Sequence, residues 1–121
     1  MSEGLPCKTE KPWGYELLYA YTPKYVGKLI FVKKGHRLSL QYHQFKEESM
    51  YILSGKARIY SGEDETKLTS LVFEPGGTIR LRPLTRHRVE ALEDTTLLEV
   101  STPELDDVVR LQDDYGRSEE S

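Results

Sequence analysis

The chain has 121 residues, a length that suits one globular domain and leaves no room for a second of ordinary size. Hydrophobic residues make up 37% and charged residues 31%, a balance that suits a soluble globular domain rather than a disordered or membrane chain. The net charge is −3 and the basic residues are scattered, so nucleic acid is not expected as a partner. No apolar run approaches the roughly 20 residues that span a bilayer, so no membrane association is expected.

Residues 1–10 are predicted to form a loose N-terminal arm. They lack the basic-then-apolar order of a secretory signal. The single cysteine, Cys7, cannot form an internal disulfide and is interpreted as an incidental thiol. We therefore expect a reducing, cytoplasmic location.

From residue 11 the chain consists of short apolar and aromatic runs, each bounded by Gly, Pro or an acidic loop. They predict strands at residues 13–20, 25–33, 37–42, 49–54, 56–60, 67–73, 78–81, 87–91 and 96–101. Residues 56–60 are expected to pair with 49–54 in a hairpin across Ser54 and Gly55. Eight or nine such strands, with no helical period before residue 102, indicate a single all-β sandwich or barrel.

The C-terminal part of the chain is less clear from its pattern. Residues 103–116 are typical either of one helical turn or of a short edge strand at 108–111. Residues 118–121 are polar and are predicted to be a disordered tail. The domain is therefore expected to cover residues 11–117.

Potential metal ligands gather in the middle of the chain. The period of two in a strand puts four polar side chains on one face, namely Arg37, Ser39, Gln41 and His43, with Leu38, Leu40 and Tyr42 on the other. Glu48 opens the next strand, and a hairpin would bring it opposite Gln41 and His43. Barrel closure could add His87 from a distant strand.

An amide oxygen, two imidazoles and a carboxylate form a mixed nitrogen and oxygen shell. Such a shell suits one divalent ion, with zinc or manganese favoured and iron, nickel or cobalt as alternatives. The alternative for His43 and Glu48 is a structural polar pair at the barrel mouth, because buried polar groups need partners in either case.

The stretch from Gly35 to Gly55 resembles the first cupin motif, with Gln41 in the place of its first histidine and with Gly35, His43 and Glu48 in register. That glutamine variant, the runs LSLQYH (38–43) and DDVVRLQDDYGR (106–117), and KPWG (11–14) are similar to the cupin domain of type II phosphomannose isomerases. The resemblance implies a cupin fold, a double-stranded β-helix or jelly-roll barrel. It also implies a metal site and pairing of two copies into a homodimer.

The sequence departs from that family in two respects. Arg82 and Leu84 stand where the second cupin motif has Pro and Gly before its histidine, although His87 keeps the expected spacing from Gly76. Two-domain relatives carry a nucleotidyltransferase ahead of the cupin domain, and no such signature is present, so sugar-nucleotide synthesis is not expected.

Three cations are candidates for binding an anionic substrate. Lys28 shares its strand face with Ile30 and could otherwise extend its ammonium group to a barrel rim. Arg37 lies on the predicted ligand face, and Arg117 could fold over the mouth and hold a phosphate through two hydrogen bonds. His36 follows Gly35 in a turn and is expected to be a solvated loop residue.

The resemblance implies a sugar phosphate as ligand and aldose–ketose isomerisation as the reaction. Lys28 and Glu48 are the candidates for the group that moves the proton. Two alternatives remain open: a non-catalytic metal-binding or sugar-binding module, and a different metal cupin enzyme such as an iron oxygenase, since two histidines and a carboxylate can form a facial triad.

Overall fold

The structure, a computed structural model, describes residues 4–116. Within that range the chain forms eleven strands and no helix: β1 (Cys7–Lys11), β2 (Gly14–Tyr21), β3 (Val26–Val32), β4 (Leu40–Tyr42), β5 (Glu48–Ser54), β6 (Ala57–Gly62), β7 (Thr69–Phe73), β8 (Thr78–Leu81), β9 (Arg86–Ala91), β10 (Thr95–Ser101) and β11 (Val109–Gln112). Accordingly, no helix of the described part has the length and apolarity to cross a membrane.

The strands form two antiparallel sheets. One has six strands in the order β1-β2-β3-β10-β5-β8, and the other has five in the order β11-β4-β9-β6-β7. The core between them consists of alternate inward-facing side chains, among them Trp13, Ile52, Ile59 and Leu97, each no more than 1% exposed. Because strand residues alternate between faces, the same pattern that buries these side chains directs others into the mouth of the barrel.

The hairpin predicted across Ser54 and Gly55 is wrong. β5 pairs with β10 and β8, whereas β6 pairs with β9 and β7 in the other sheet. Gly55 has φ +93° and its backbone passes so close to Asp94 that a Cβ would lie 2.2 Å from the Asp94 carbonyl oxygen. The hydroxyl of Thr95 accepts a hydrogen bond from the Lys56 amide and donates one to the Lys56 carbonyl oxygen. These contacts lead the chain from one sheet to the other.

The strand predicted at residues 37–42 is shorter in the structure. Only Leu40–Tyr42 forms β4, and Arg37 makes a single bridge to Glu90. The predicted separation of faces is also wrong at Leu38, which is buried in the core and lines the same cavity as Gln41. The chain there lacks a continuous ladder, so strict alternation does not apply.

The two ends of the described chain are more regular than the sequence indicated. Cys7–Lys11, which begins in the predicted arm and ends at the first residue of the predicted domain, pairs with β2 along its whole length. The ambiguous C-terminal stretch forms a strand, Val109–Gln112, against β4. The predicted tail, residues 118–121, lies outside the described residues.

Candidate metal centre

Three buried donors converge at one end of the barrel. Nε2 of His43 lies 3.1 Å from Oε1 of Glu48, and Nε2 of His87 lies 3.9 Å from Oε2 of the same carboxylate. The ligand atoms all lie within 4.8 Å of one another. Despite this closeness, both Nε2 atoms and Glu48 Oε1 are buried without a hydrogen bond in residues 4–116. Buried polar atoms normally have a partner, so this donor set fits a divalent cation between them.

Each histidine ring is held through its other nitrogen. Nδ1 of His43 donates to the Asp107 carbonyl oxygen at 2.5 Å, and Nδ1 of His87 donates to the Thr85 carbonyl oxygen at 3.0 Å. A carbonyl oxygen only accepts, so in each ring the proton resides on Nδ1 and Nε2 keeps its lone pair. This is the arrangement by which proteins orient imidazole ligands toward a metal.

The electrostatics favour an ionised Glu48 and a neutral His87. Burial would raise the pKa of Glu48, but His43 and His87, when their rings carry the proton, and the Lys46 ammonium outweigh it and bring that pKa to about 2; with neutral imidazoles the Lys46 charge remains. Burial lowers the pKa of His87 below its usual range, even though Glu48 opposes this. At neutral pH the site therefore presents an ionised carboxylate beside a neutral His87 imidazole.

Two sheets supply these donors, not the hairpin expected from the sequence. Glu48 begins β5 in the six-stranded sheet, while His87 lies in β9 and His43 follows β4 in the five-stranded sheet. Gln41 pairs directly with His87 between β4 and β9. Its amide oxygen accepts a hydrogen bond from the Ser39 hydroxyl at 3.0 Å. Gln41 thus lies beside the donors, with its oxygen already bound by a neighbour.

Two of the three donor residues, His43 and Glu48, line a cavity of about 310 Å³, and His87 lies behind them, outside its lining. Lys28 lines it, as does Glu16, whose Oε1 lies 3.2 Å from the Lys28 ammonium. Residues from β1, Cys7 and Lys11 among them, form part of its wall. The predicted substrate-binding lysine therefore reaches the pocket, paired with a carboxylate.

Two residues of the cavity were missed in the sequence. The ammonium group of Lys46 lies 3.4 Å from Oε1 of Glu48 and 3.3 Å from Oε2 of Glu99, and all three side chains are buried. Burial and the charge of Glu48 raise the pKa of Glu99 above its usual range. Burial lowers the pKa of Lys46, but Glu99 and Glu48 outweigh it, so the net shift is upward. Only barrel closure reveals this network, because in the sequence Lys46 belongs to an ordinary charged loop.

Of the other two predicted cations, the structure describes only Arg37, and it does not line the cavity. Arg37 binds Asp114 through two hydrogen bonds, of 2.6 and 3.2 Å, and is not among the cavity-lining residues. Arg117 lies outside the described residues.

The prediction of a solvated His36 is wrong: its ring is half-buried, stacks on Tyr115 and bonds to the Tyr115 hydroxyl at 2.7 Å.

In the turn before His87, Leu84 stands at the position where the second cupin motif has a glycine. Leu84 has φ +71°, the left-handed conformation that a glycine adopts without strain. Its amide donates to the carbonyl oxygen of His43 at 2.7 Å. This bond ties the segment carrying His87 to the segment carrying His43.

Comparison with known sequences points to one family. A family model described as the C-terminal part of mannose-6-phosphate isomerase matches residues 3–113. Relatives include the xanthan biosynthesis protein XanB of Xanthomonas campestris pv. campestris, 33% identical over 114 residues, and the mannose-1-phosphate guanylyltransferase RfbM of Salmonella typhimurium, 30% identical over 115. These alignments cover 92% and 91% of this chain but 24% and 23% of the relatives. The chain thus spans about a quarter of their length.

Solved structures agree on the fold. Oxalate decarboxylase of Bacillus subtilis, in a study of its Mn(II) centres, superposes with a TM-score of 0.75 at 21% identity over 86% of this chain and 29% of its own. KdgF from Halomonas sp. gives 0.70 at 20% identity, covering 82% of this chain and 87% of its own. At such identities the likeness shows the fold alone. The all-β cupin fold implied by the resemblance is therefore confirmed.

Proposed function

Because the chain belongs to the family of mannose-6-phosphate isomerase C-terminal domains, we propose that it binds one divalent metal ion and a sugar phosphate in the cavity, and that it interconverts aldose and ketose forms. The observation that carries the proposal is the convergence of three unbonded buried donor atoms, on His43, Glu48 and His87, beside a cavity lined by cations.

The metal would be held by His43, Glu48 and His87. Gln41 is the fourth ligand if its amide oxygen exchanges the Ser39 hydroxyl for the ion. Zinc and manganese are the favoured ions, with iron, nickel and cobalt as alternatives, because the donors are nitrogen and oxygen without a thiolate. When bound, such an ion supplies a positive charge that polarises a carbonyl oxygen and stabilises an enediolate.

The phosphate would be held by the cationic part of the wall. Lys11, Lys28, Lys46 and Arg110 all line the cavity. Lys46 is buried against Glu48 and Glu99, which places it beside the donors, whereas Lys28 on β3 is the cross-strand partner of Glu99 and Lys11 belongs to β1. Lys28 therefore remains the main candidate for the phosphate, and Arg37 is not retained because Asp114 occupies its guanidinium.

Isomerisation requires a group that takes a proton from one carbon and returns it to the next. Glu48, with a pKa of about 2, is a weak base, and Lys28 is paired with Glu16. Glu99 also has a charged partner, the Lys46 ammonium at 3.3 Å, but its buried carboxyl has a raised pKa and lines the same cavity, so it is better suited to take up a proton. We therefore place Glu99 beside Lys28 and Glu48 as a candidate for proton transfer.

Turnover on hexose and pentose phosphates, with zinc or manganese added, tests the reaction. Isomerisation of at least one aldose phosphate, abolished by a chelator, is expected. Metal binding and sugar-phosphate binding without turnover would instead favour the non-catalytic module. Oxygen consumption with bound iron would favour an oxygenase.

The substrate-binding role of Lys28 has its own test. Lys28→Met should weaken binding of a sugar phosphate by about tenfold or more and leave metal affinity unchanged, because an ionic hydrogen bond contributes roughly 1.5–3 kcal/mol. Lys24→Met, which removes an exposed lysine outside the cavity lining, is the matched control. Equal sugar-phosphate affinity in the two variants would remove Lys28 from the binding site.

We also propose a homodimer through the outer face of the six-stranded sheet. A row of apolar side chains, in register on neighbouring strands, crosses that face: Leu17, Leu29, Leu98 and Tyr51. Val100 and Leu53 extend it and are about half exposed, at 55% and 48%. Leu98→Glu should yield a monomer in light scattering, while Leu71→Glu on exposed β7 should not. A monomeric parent protein would contradict the proposal.

A further inference from the structure

Residues 102–112, here called the C-terminal strap, close one side of the cavity. Leu105, Asp106 and Val108 of the strap line the cavity wall. The strap begins with Thr102, whose amide donates to the Glu47 carbonyl and whose hydroxyl accepts from the Glu47 amide, both at 3.0 Å. It ends in β11, which pairs with β4. The strap therefore packs against both ends of the loop that carries His43 and leads to Glu48.

Asp107 makes the central contacts between the strap and that loop. Its carboxylate accepts three backbone hydrogen bonds, from the amides of Gln44, Phe45 and Lys46, at 3.0, 2.7 and 2.9 Å. Partial burial raises the pKa of Asp107, but these three amides outweigh it, so the carboxylate stays ionised at neutral pH. Hydrogen bonds to a charged acceptor are stronger than neutral ones.

The same residue reaches the candidate metal ligand. The main-chain carbonyl of Asp107 accepts the Nδ1 proton of His43. One residue thus holds the backbone of residues 44–46 through its side chain and the His43 ring through its backbone. The loop between β4 and β5 has no ladder partner of its own, so its shape depends on these contacts.

We propose that Asp107 is a positioning residue for the metal centre, and that closure of the C-terminal strap and binding of the metal ion are coupled through it. The inference rests on the proposed metal function and deepens it. With the strap closed, Nε2 of His43 points at Glu48 and His87. With the strap open, the ring loses the acceptor that fixes its tautomer. Coupling is reciprocal, so an ion bound to His43 also favours the closed strap.

The test uses the full chain with Mn²⁺ or Zn²⁺ alone as the probe. Asp107→Asn keeps the shape of the side chain and removes its charge, and Asp107→Ala removes the side-chain acceptor of the three amides; both variants keep the main-chain carbonyl that binds His43. We expect the dissociation constant of the ion, measured by competition with a chelator, to rise roughly 10–100-fold in Asp107→Ala and less in Asp107→Asn, the range for outer-sphere partners of metal ligands. Glu104→Gln, on the same strap, is the matched control and should change it less than twofold; its carboxylate bonds to Thr102 within the strap.

Hydrogen exchange supplies a second readout that does not depend on affinity. Metal binding should slow exchange of the amides of Gln44, Phe45 and Lys46 in the parent protein, and this protection should shrink in Asp107→Asn. Folded Asp107→Asn with unchanged affinity and unchanged protection would overturn the inference while the proposed metal site stands. A parent protein that binds neither ion would instead overturn the proposed function, and the inference with it.

Discussion

An imidazole binds a metal ion well when its second nitrogen is held, and both histidines at this centre satisfy that condition through backbone carbonyls. His43 is oriented by Asp107 and His87 by Thr85. The sequence predicted both histidines as ligands because of their spacing from Gly35 and Gly76. It could not predict their orienting partners, since any residue supplies a carbonyl oxygen and only the folded chain shows which one is near.

Substitution of His87, inside the candidate centre, and of His36, outside it, should affect metal affinity differently. His87→Ala should remove most of the affinity for Zn²⁺ or Mn²⁺, at least about 100-fold, because it deletes one of few ligands. His36→Ala should leave the affinity unchanged, since His36 bonds to Tyr115 and not to the donors. Isothermal titration calorimetry measures both. Similar affinities in the two variants would show that the ligand assignment is wrong.

Leu84 carries a backbone strain that can be measured. A left-handed conformation costs an ordinary residue about 1–2 kcal/mol, and a β-branched residue tolerates it least. We expect Leu84→Gly to be at least as stable as the parent, and Leu84→Val to lower the free energy of unfolding by about 1 kcal/mol. Urea unfolding compares the three proteins. A Leu84→Val protein as stable as Leu84→Gly would show that this turn is not strained.

At the scale of elements, the segment after β11 is bound by β9 and by the turn before β4. Asp114 accepts hydrogen bonds from Arg37 and from Arg88, which is itself buried and donates to the Leu38 carbonyl. The sequence assigned Arg37 to a ligand face because strict alternation was extended from β4 to residue 37. Since the ladder ends at Leu40, that extension had no structural basis.

The hydrogen bonds of Asp114 with Arg37 and Arg88, here called the Asp114 clamp, should make the free energy of unfolding fall more steeply at acid pH. The hydrogen bond from Arg37, with the charge of Arg88, holds the pKa of Asp114 below its usual range. A carboxyl with a depressed folded pKa contributes fully above its unfolded value, about 3.9, and loses that contribution as pH falls through the folded pKa. Below about pH 4 the parent should therefore lose stability faster than Asp114→Asn. The difference should stay within about 1 kcal/mol because the pair is exposed.

Urea unfolding at several pH values between 3 and 6 measures that difference. Parallel curves for the parent and Asp114→Asn would show that the clamp does not contribute to acid stability. A Glu63→Gln variant, which removes an exposed carboxylate from a surface loop, controls for the change in net charge.

At the scale of the whole molecule, the strand pattern and the three residues that converge at the candidate metal centre could be read from the sequence, whereas the contacts between sheets could not. The apolar runs predicted nine of the strands to within a few residues, because burial imposes their alternation. Lys46 and Glu99 resemble solvated charges in the sequence. They become a buried pair only because β10 lies next to β5, a pairing of strands about 50 residues apart.

Metal binding should stabilise the whole fold, because the donors come from both sheets. Ligand that binds only the folded state adds about 2.7 kcal/mol to the free energy of unfolding at 100 times its Kd. We therefore expect added Zn²⁺ or Mn²⁺ to raise the melting temperature and a chelator to reverse the rise. Calcium, which prefers an all-oxygen shell, is the control and should have little effect. Equal melting temperatures with and without every transition metal would argue against the centre.

The first strand gives this cavity a natural attachment point for a reporter. Cys7 is the only cysteine of the chain, its side chain is exposed, and it belongs to the cavity wall. A thiol-reactive fluorophore would therefore label a single position at the entrance, without any engineered substitution. Its emission would respond to whatever enters the barrel mouth, so binding of small molecules could be followed before any chemical reaction is known.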